Sequence, residues 1–292
     1  MKKITSKKSI KLIDMTNKQA QLNCGKIGVI AGGGNFPLLL VRDMIKNKTP
    51  FAVMGIEGFV NPEIKKLAGA HYKTGFFTDF GKCINFFKNE HVDSIVIIGS
   101  VNRSAVRLNN WRVIKAFIKV LFYKKRHDGI FRIIISEFEN NKLKVIGLQD
   151  AMPSVMTRVG LLTKTKPSSQ DLKDIKIAII ESKKLGERDL GQAVVVMKEK
   201  LLGDESIPGT DALISRCLKE KNGIQGGVMA KLPKPGQEMR CDIPAIGFGT
   251  IRSLIDGKLN GIVIESEYKT IIEEKEKLIK FADENKIFIM AI

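Results

Sequence analysis

Histidine and cysteine are scarce in this sequence, and neither is spaced as metal ligands are. The four cysteines are Cys24, Cys83, Cys217 and Cys241, and the three histidines are His71, His91 and His127. Because no two cysteines form a C-x-x-C pair, we expect neither a zinc site nor a disulfide framework, and a reducing cytoplasm fits this usage. Cys241 precedes Asp242, but no histidine lies near it to activate a thiol, so a small packing side chain is the favoured interpretation.

Long apolar runs are also absent. The longest, such as Ile95–Ile98 with its neighbours, have the length of strands, whereas a transmembrane helix needs about 18 or more apolar residues. Residues 1–24 carry several lysines but no continuous apolar segment, which excludes a secretory signal. We interpret residues 1–24 as a basic flexible extension that precedes the fold.

Acidic residues are too few to balance the basic ones. The chain has 49 Lys and Arg against 31 Asp and Glu, a net charge of +18. This excess implies an anionic partner, which could be nucleic acid, an anionic membrane surface or a phosphorylated small molecule. Only 7% of the residues are aromatic, which argues against the stacking surfaces that bind single-stranded nucleic acid. A basic, non-catalytic nucleic-acid-binding module is therefore an alternative that explains the charge alone.

Strand-like and helix-like segments alternate in the first half of the chain. Apolar runs predict strands and periodic stretches predict helices, in the order Lys26–Ala31 (strand), Phe36–Ile45 (helix), Phe51–Ile56 (strand), Asp79–Asn89 (helix) and Ser94–Ile98 (strand). This alternation indicates a Rossmann-like parallel sheet. We place it in an N-terminal domain of residues 25–155.

The second half predicts a further mixed α/β domain, residues 156–292. Its expected helices are Asp171–Lys184, Asp211–Lys219 and Thr270–Ala282, and its expected strands are Ala193–Lys198, Gly227–Ala230, Leu259–Ile264 and Lys286–Ile292.

In the first half, Leu108–Arg126 predicts an amphipathic helix with cations at its C-terminal end. Its apolar stripe could pack on a domain core or lie on an anionic membrane surface, and both interpretations stay open.

Three consecutive glycines, Gly32, Gly33 and Gly34, follow the first predicted strand. They let the backbone approach a ligand closely, and the N-terminus of the next helix favours a phosphate. An NAD(P)-dependent Rossmann oxidoreductase would bind its dinucleotide at this turn. The fingerprint G-x-G-x-x-G requires a third glycine, however, where this chain has Pro37. A tight turn that binds nothing is equally compatible with the sequence.

Polar residues beside glycines mark three weaker candidates. Asn102 and Arg103 follow the third predicted strand, at the sheet edge where open α/β folds bind ligands. Thr210 and Asp211 open a predicted helix, with Thr210 as its N-cap, and could present a hydroxyl and a carboxylate to a phosphate or a hydrated metal. Gln192, before an apolar strand, is the weakest. An exposed loop and simple helix capping would also explain these residues.

The strongest candidate is the segment Lys231–Gly247, with the sequence KLPKPGQEMRCDIPAIG. Its prolines and glycines disfavour a regular helix or a central strand. Cations close to Asp242 suit a phosphorylated ligand, because they neutralise phosphate oxygens while the carboxylate can hold a metal or accept a proton from water. A solvated charged loop is the alternative.

Together these motifs resemble the LpxI-type UDP-2,3-diacylglucosamine pyrophosphatases of lipid A biosynthesis. The shared motifs are I-A-G-G-G at Ile30–Gly34, G-x-V-N-R at Gly99–Arg103, G-Q at Gly191–Gln192, G-T-D-A at Gly209–Ala212 and K-x-x-K-P-x-Q-x-x-R-x-D-x-P-x-I-G at Lys231–Gly247. The resemblance implies that two domains hold UDP-2,3-diacylglucosamine between them. It also implies a divalent metal, usually Mg²⁺, and hydrolysis at the sugar-side phosphorus, which gives UMP and lipid X.

The resemblance further implies roles for individual residues. Asp242 falls on the family's essential aspartate, as a metal ligand or as the group that orients and deprotonates water, and Arg240 and Lys231 complete the expected catalytic group. Asp211 is a second expected metal ligand. The expected substrate-binding residues are Gly32, Gly33, Gly34, Asn102, Arg103, Gln192, Thr210, Asp211 and Gln237.

The chain departs from the family pattern in a few places. Where the family has V-E-G-T-D, this chain has Ile207-Pro208-Gly209-Thr210-Asp211, so a glutamate is missing unless Glu205 replaces it.

Because the acylated substrate resides in a bilayer, the resemblance and the charge together imply a cytoplasmic enzyme bound peripherally to the inner face of the inner membrane. The oligomeric state stays open, with a homodimer as one arrangement.

Overall fold

The protein folds around two β-sheets, which confirms the predicted α/β class. The computed structural model describes residues 25–76, 79–101, 128–205 and 209–292, with the backbone alone for 128–130. The first half of the chain builds a five-stranded parallel sheet, and the second half builds a six-stranded mixed sheet. The predicted basic extension at residues 1–24 and the predicted amphipathic helix at Leu108–Arg126 lie outside the described residues.

The N-terminal sheet has the strand order β3-β2-β1-β4-β5, as in a Rossmann-like half. Its strands are β1 (Lys26–Ala31), β2 (Phe51–Ile56), β3 (Tyr72–Gly75), β4 (Val92–Ile98) and β5 (Lys144–Ile146). The helices around it are α1 (Phe36–Lys46), α2 (Pro62–Ala68), α3 (Phe80–Asn89), α4 (Asp128–Asn140) and α5 (Leu148–Ala151), with single 3₁₀ turns at Gly69–His71 and Pro153–Val155.

Both faces of this sheet are buried, which is why its central strands are continuous apolar runs. Val29 and Val53 face a core that includes residues of α1 and α2. Ile30 and Met54, the next residues along the same strands, face a second core that includes residues of α3 and α4. Pro37 lies in the first turn of α1, where its fixed backbone angle favours the helix.

The C-terminal half contains the strands β6 (Gly160–Leu161), β7 (Ala193–Met197), β8 (Lys200–Asp204), β9 (Val228–Lys231), β10 (Ala245–Ile246), β11 (Gly261–Ile264), β12 (Ile271–Ile272) and β13 (Phe288–Ala291). Its helices are α6 (Ser169–Glu187), α7 (Thr210–Glu220), α8 (Phe248–Asp256) and α9 (Lys275–Glu284). The main sheet has the order β6-β13-β11-β9-β7-β8, and β10 and β12 form a separate parallel pair. Within the main sheet, β9, β11 and β13 are parallel, whereas β6, β7 and β8 are antiparallel to their neighbours.

One predicted helix in this half is wrong at its start. The segment expected as a helix over Thr270–Ala282 begins with β12, and α9 starts only at Lys275. Ile271 and Ile272 are extended because they pair with β10. Glu274, the residue before α9, has φ 37°, a left-handed backbone that interrupts any helix running through it.

The β10–β12 pair connects the hydrophobic cores of the two halves. Ala245 pairs with Ile271, and Ile246 pairs with Ile272. Ala245 and Ile271 pack against the N-terminal core that holds α1 and α2, whereas Ile246 and Ile272 belong to the C-terminal core that holds α7, α8 and α9. Because side chains alternate along a strand, two residues per strand suffice to reach both cores.

The described part of the chain contains no helix that is both long enough and apolar enough to cross a membrane.

The β10–β12 pair yields a first prediction. Ile271 is 1% exposed between the two halves, so Ile271→Ala should lower the free energy of unfolding by about 2–4 kcal/mol, the usual effect of deleting buried methyl groups and leaving a cavity. Urea denaturation followed by circular dichroism measures the change. The same substitution at Ile224, which is 54% exposed, is the control, and an equal loss in both variants would contradict the predicted role of Ile271.

Candidate active site

The segment Lys231–Gly247 runs between the two halves of the protein. Cys241 packs against the N-terminal core that includes Phe138, and Ile243 packs against the opposite N-terminal core. The main-chain N–H groups of Cys241 and Asp242 both donate to the carbonyl of Glu238, at 3.1 and 2.9 Å. This turn places the half-buried Asp242 where the chain passes from one half to the other.

A buried glutamine braces Asp242. The Nε2 of Gln237 donates to the carboxylate Oδ2 of Asp242 at 2.9 Å and also to the main-chain carbonyl of Asp242. The Oε1 of Gln237 accepts from the main-chain N–H of Lys234 at 2.8 Å. Gln237 is 8% exposed, so its amide fixes the orientation of the carboxylate. The substrate-binding role expected for Gln237 stays a prediction.

Lys231 lies at the end of β9, and its side chain is half-buried. Its Nζ donates to the carbonyl of Ala245 at 3.1 Å. Burial lowers the pKa of Lys231, while the carboxylates of Glu205 and Asp211 oppose that shift. These two acids therefore face an ammonium that has lost part of its water.

The G-Q and G-T-D-A motifs both contact Glu205. From the sequence, Glu205 was suggested only as a replacement for the glutamate missing from the family's V-E-G-T-D motif. The Oε1 of Glu205 accepts from the hydroxyl of Thr210 at 2.9 Å, and its Oε2 accepts from the main-chain N–H of Gln192 at 3.2 Å. The side chain of Gln192 lies 3.5 Å from the amide of Gln237. A chain of contacts thus connects Thr210 to Asp242.

Thr210 is not the N-cap of α7, contrary to expectation. Gly209 holds that position with φ 109°, and Thr210 is the first helical residue. Its hydroxyl is therefore directed to Glu205 rather than to the helix. Asp211 does lie in the first turn as predicted, and its Oδ1 accepts from the hydroxyl of Ser253 at 2.6 Å.

Two cations of the Lys231–Gly247 segment are paired with protein carboxylates. Lys234 donates to Asp189 at 2.7 Å. Arg240 binds both oxygens of Glu238 and also contacts Glu139 of α4 at 2.9 Å. The hydrogen bond from Arg240 lowers the pKa of Glu238. Arg240 therefore joins the segment to the N-terminal half, and its expected catalytic role stays a prediction.

The glycine turn packs against the loop that follows β4. The N–H of Gly33 donates to the carbonyl of Ser100 at 2.8 Å, and the N–H of Ser100 donates to the carbonyl of Gly33 at 2.9 Å. A Cβ on Gly32 would lie 2.8 Å from the Ser100 carbonyl oxygen, and Gly99 has φ 102°. The glycines thus allow two loops to touch, at the edge of the sheet where ligands bind in such folds.

A buried carboxylate from the other half reaches the start of α1. Glu273 is 8% exposed. Its Oε1 accepts from the Nδ2 of Asn35 at 2.6 Å, and its Oε2 accepts from the N–H of Phe248 at 3.3 Å. Sequence reasoning missed Glu273 because it fell inside an expected helix.

Two predicted site residues cannot be placed. Asn102 and Arg103 lie outside the described residues, and the structure follows the loop after β4 only to Val101.

The thiol of Cys241 packs against the N-terminal core. Burial raises its pKa to about 12, and the side chain packs in an apolar core. This confirms the packing role expected from the sequence.

Among the described residues, no three acidic, histidine or cysteine side chains come together as a metal cage.

Two family models match the two halves of the chain. The family model described as the LpxI N-terminal domain matches residues 26–155, and the model described as the LpxI C-terminal domain matches residues 158–290. The chain is also 30% identical over 276 residues to the UDP-2,3-diacylglucosamine pyrophosphatase LpxI of Caulobacter vibrioides. This alignment covers 91% of this chain and 97% of that protein. The chain belongs to the LpxI family.

Proposed function

We propose that this protein hydrolyses the diphosphate bond of UDP-2,3-diacylglucosamine, giving UMP and 2,3-diacylglucosamine 1-phosphate (lipid X), in lipid A biosynthesis. The name of the Caulobacter relative supports this substrate. The observation that carries the proposal is the Asp242 carboxylate, which a buried glutamine orients between the two halves of the fold. An oriented carboxylate that can accept a proton is what the attack of water on phosphorus needs.

The residues divide the chemistry between them. Asp242 orients a water molecule and accepts its proton, and the water oxygen forms a bond to the sugar-side phosphorus. The bond from that phosphorus to the bridging oxygen breaks, and the bridging oxygen leaves with UMP. Lys231 stabilises the negative charge on the phosphate oxygens as the bond breaks. Gln237 acts through Asp242, whose carboxylate it holds in place.

A Mg²⁺ ion would be bound here chiefly by substrate and water. Mg²⁺ keeps several waters and commonly takes one or two protein carboxylates together with substrate phosphates, so it does not require a cage of protein ligands. Asp242 would supply the carboxylate, and Asp211 is the second proposed ligand. When bound, the ion would neutralise charge on the diphosphate.

The contacts of the glycine turn argue against a dinucleotide cofactor. The N–H of Gly32 donates to the carbonyl of Ile98 at the end of β4, and the N–H of Gly33 donates to the carbonyl of Ser100 in the loop that follows. A phosphate cradle directs such groups at the ligand instead. The buried Glu273 carboxylate lies next to Asn35 at the same turn and would repel a diphosphate there.

The reaction is tested by incubating the purified protein with UDP-2,3-diacylglucosamine and Mg²⁺ and measuring UMP. Wild-type protein should release UMP, and Asp242→Asn should lower the rate by on the order of 100-fold or more without unfolding, because the amide cannot accept the proton. Asp256→Asn, at an exposed position of α8, is the matched control. Near-normal turnover of Asp242→Asn would remove Asp242 from the mechanism.

The same assay in water enriched with heavy oxygen locates the attack. Label is expected in lipid X, because the sugar-side phosphorus receives the water oxygen. Label in UMP would place the attack on the uridine-side phosphorus instead.

We also propose that the protein binds the anionic inner face of the inner membrane peripherally. The net charge of +18 attracts anionic headgroups, and this attraction weakens as salt shortens the Debye length. Cosedimentation with phosphatidylglycerol vesicles should therefore fall between about 0.05 M and about 0.5 M NaCl. Phosphatidylcholine vesicles are the control. Failure to bind phosphatidylglycerol vesicles at low salt would refute the proposal.

A further inference from the structure

Glu205 directly follows β8, an edge strand of the main sheet, and its carboxylate contacts two separate motifs. Its main-chain N–H donates to the carbonyl of Ala193 at 2.9 Å, which fixes its backbone to β7. Its two carboxylate oxygens then accept from the Thr210 hydroxyl and from the Gln192 main chain. A single side chain therefore connects the start of α7 to the G-Q motif that precedes β7.

Gly191 is required by the position of Glu205. A Cβ on Gly191 would lie 2.8 Å from the carbonyl oxygen of Glu205 and 2.9 Å from its Cβ. Neither atom belongs to the flexible end of a side chain, so a larger residue would displace the backbone of Glu205. The glycine of the G-Q motif thus accommodates Glu205.

Glu205 also acts on Lys231. Burial lowers the pKa of Lys231, and Glu205 is the first of the two carboxylates that raise it again, with Asp211 as the second. Besides these charges, the ammonium contacts the carbonyl of Ala245. The carboxylate of Glu205 therefore favours the charged form of the cation that the proposed reaction needs.

The contacts favour an indirect role for Glu205. Both of its oxygens accept hydrogen bonds from the protein, so neighbouring residues orient its carboxylate. A residue that holds a hydroxyl and a main-chain segment in place organises the site without touching the reacting atoms.

We propose that Glu205 is a positioning residue for the diphosphate site, where it holds the Thr210 hydroxyl and the Gln192 main chain in place. This inference rests on the proposed hydrolysis of a UDP-sugar lipid. It adds a residue to the site and assigns Thr210 a fixed hydroxyl orientation.

The test compares Glu205→Gln and Glu205→Asp with wild type, using kcat and KM for UDP-2,3-diacylglucosamine and calorimetric binding of UDP without added metal. Glu205→Gln should lower kcat on the order of tenfold, because the stabilisation of charge on the departing phosphate is weakened. The loss should be smaller than in Asp242→Asn, because Glu205 acts on the phosphate only through Thr210 and Lys231. UDP should bind more weakly, by about threefold to tenfold, since the Thr210 hydroxyl loses its charged acceptor and Lys231 loses a neighbouring negative charge. Glu205→Asp keeps the charge and should recover part of both losses.

Glu220→Gln, at the exposed end of α7, is the matched control and should behave as wild type. Tighter binding of UDP to Glu205→Gln would mean that the carboxylate only repels the ligand, which overturns the inference. Wild-type kcat in folded Glu205→Gln, whatever its melting temperature, would overturn it as well. If wild-type protein releases no UMP, the proposed function itself fails, an outcome distinct from an active enzyme that is indifferent to Glu205.

Discussion

The short parallel pair of β10 and β12 is the constraint on which the geometry of the site depends. Each strand has two residues, one directed to each half's core. Since side chains alternate, a slip of one residue would exchange the two faces and place Ile272 where Ile271 packs. The register therefore fixes the chain just after Asp242. With Gln237 holding the carboxylate from the other side, Asp242 is restrained at both ends of its loop.

Charge in the Lys231–Gly247 segment is divided between structural and chemical tasks. Lys234 pairs with Asp189, and Arg240 pairs with Glu238 and Glu139. These ion pairs fasten the segment to both halves of the fold. Lys231 differs, because its ammonium donates to a carbonyl and is influenced by the carboxylates of Glu205, which follows β8, and of Asp211 in α7. A cation held in this way can meet a phosphate without first breaking a close ion pair.

Sequence reasoning predicted the regular elements well and the contacts between them poorly. The strand, glycine turn and helix at Lys26–Lys46 follow from local periodicity and are found as expected. The pair β10–β12 could not be predicted, because two extended residues carry no periodic signal and pair over a long sequence distance. For the same reason Glu205 and Glu273 gave little or no signal, since their roles depend on partners far along the chain. The motif Gly191-Gln192 was visible, but its physical reason lies in the packing of Glu205.

Under the proposed function, the two ends of the site differ in their electrostatics. The glycine turn has Glu273 beside it, and the N–H groups of Gly32 and Gly33 are already bonded to carbonyls. The opposite end presents Lys231, whose charge Glu205 and Asp211 support. The Lys231 ammonium would attract a diphosphate, and the buried Glu273 carboxylate would repel it from the glycine turn. The uncharged parts of a UDP-sugar lipid are therefore the parts that suit the glycine turn, which gives the turn a steric role in place of the anion-binding role that three glycines before a helix first indicate.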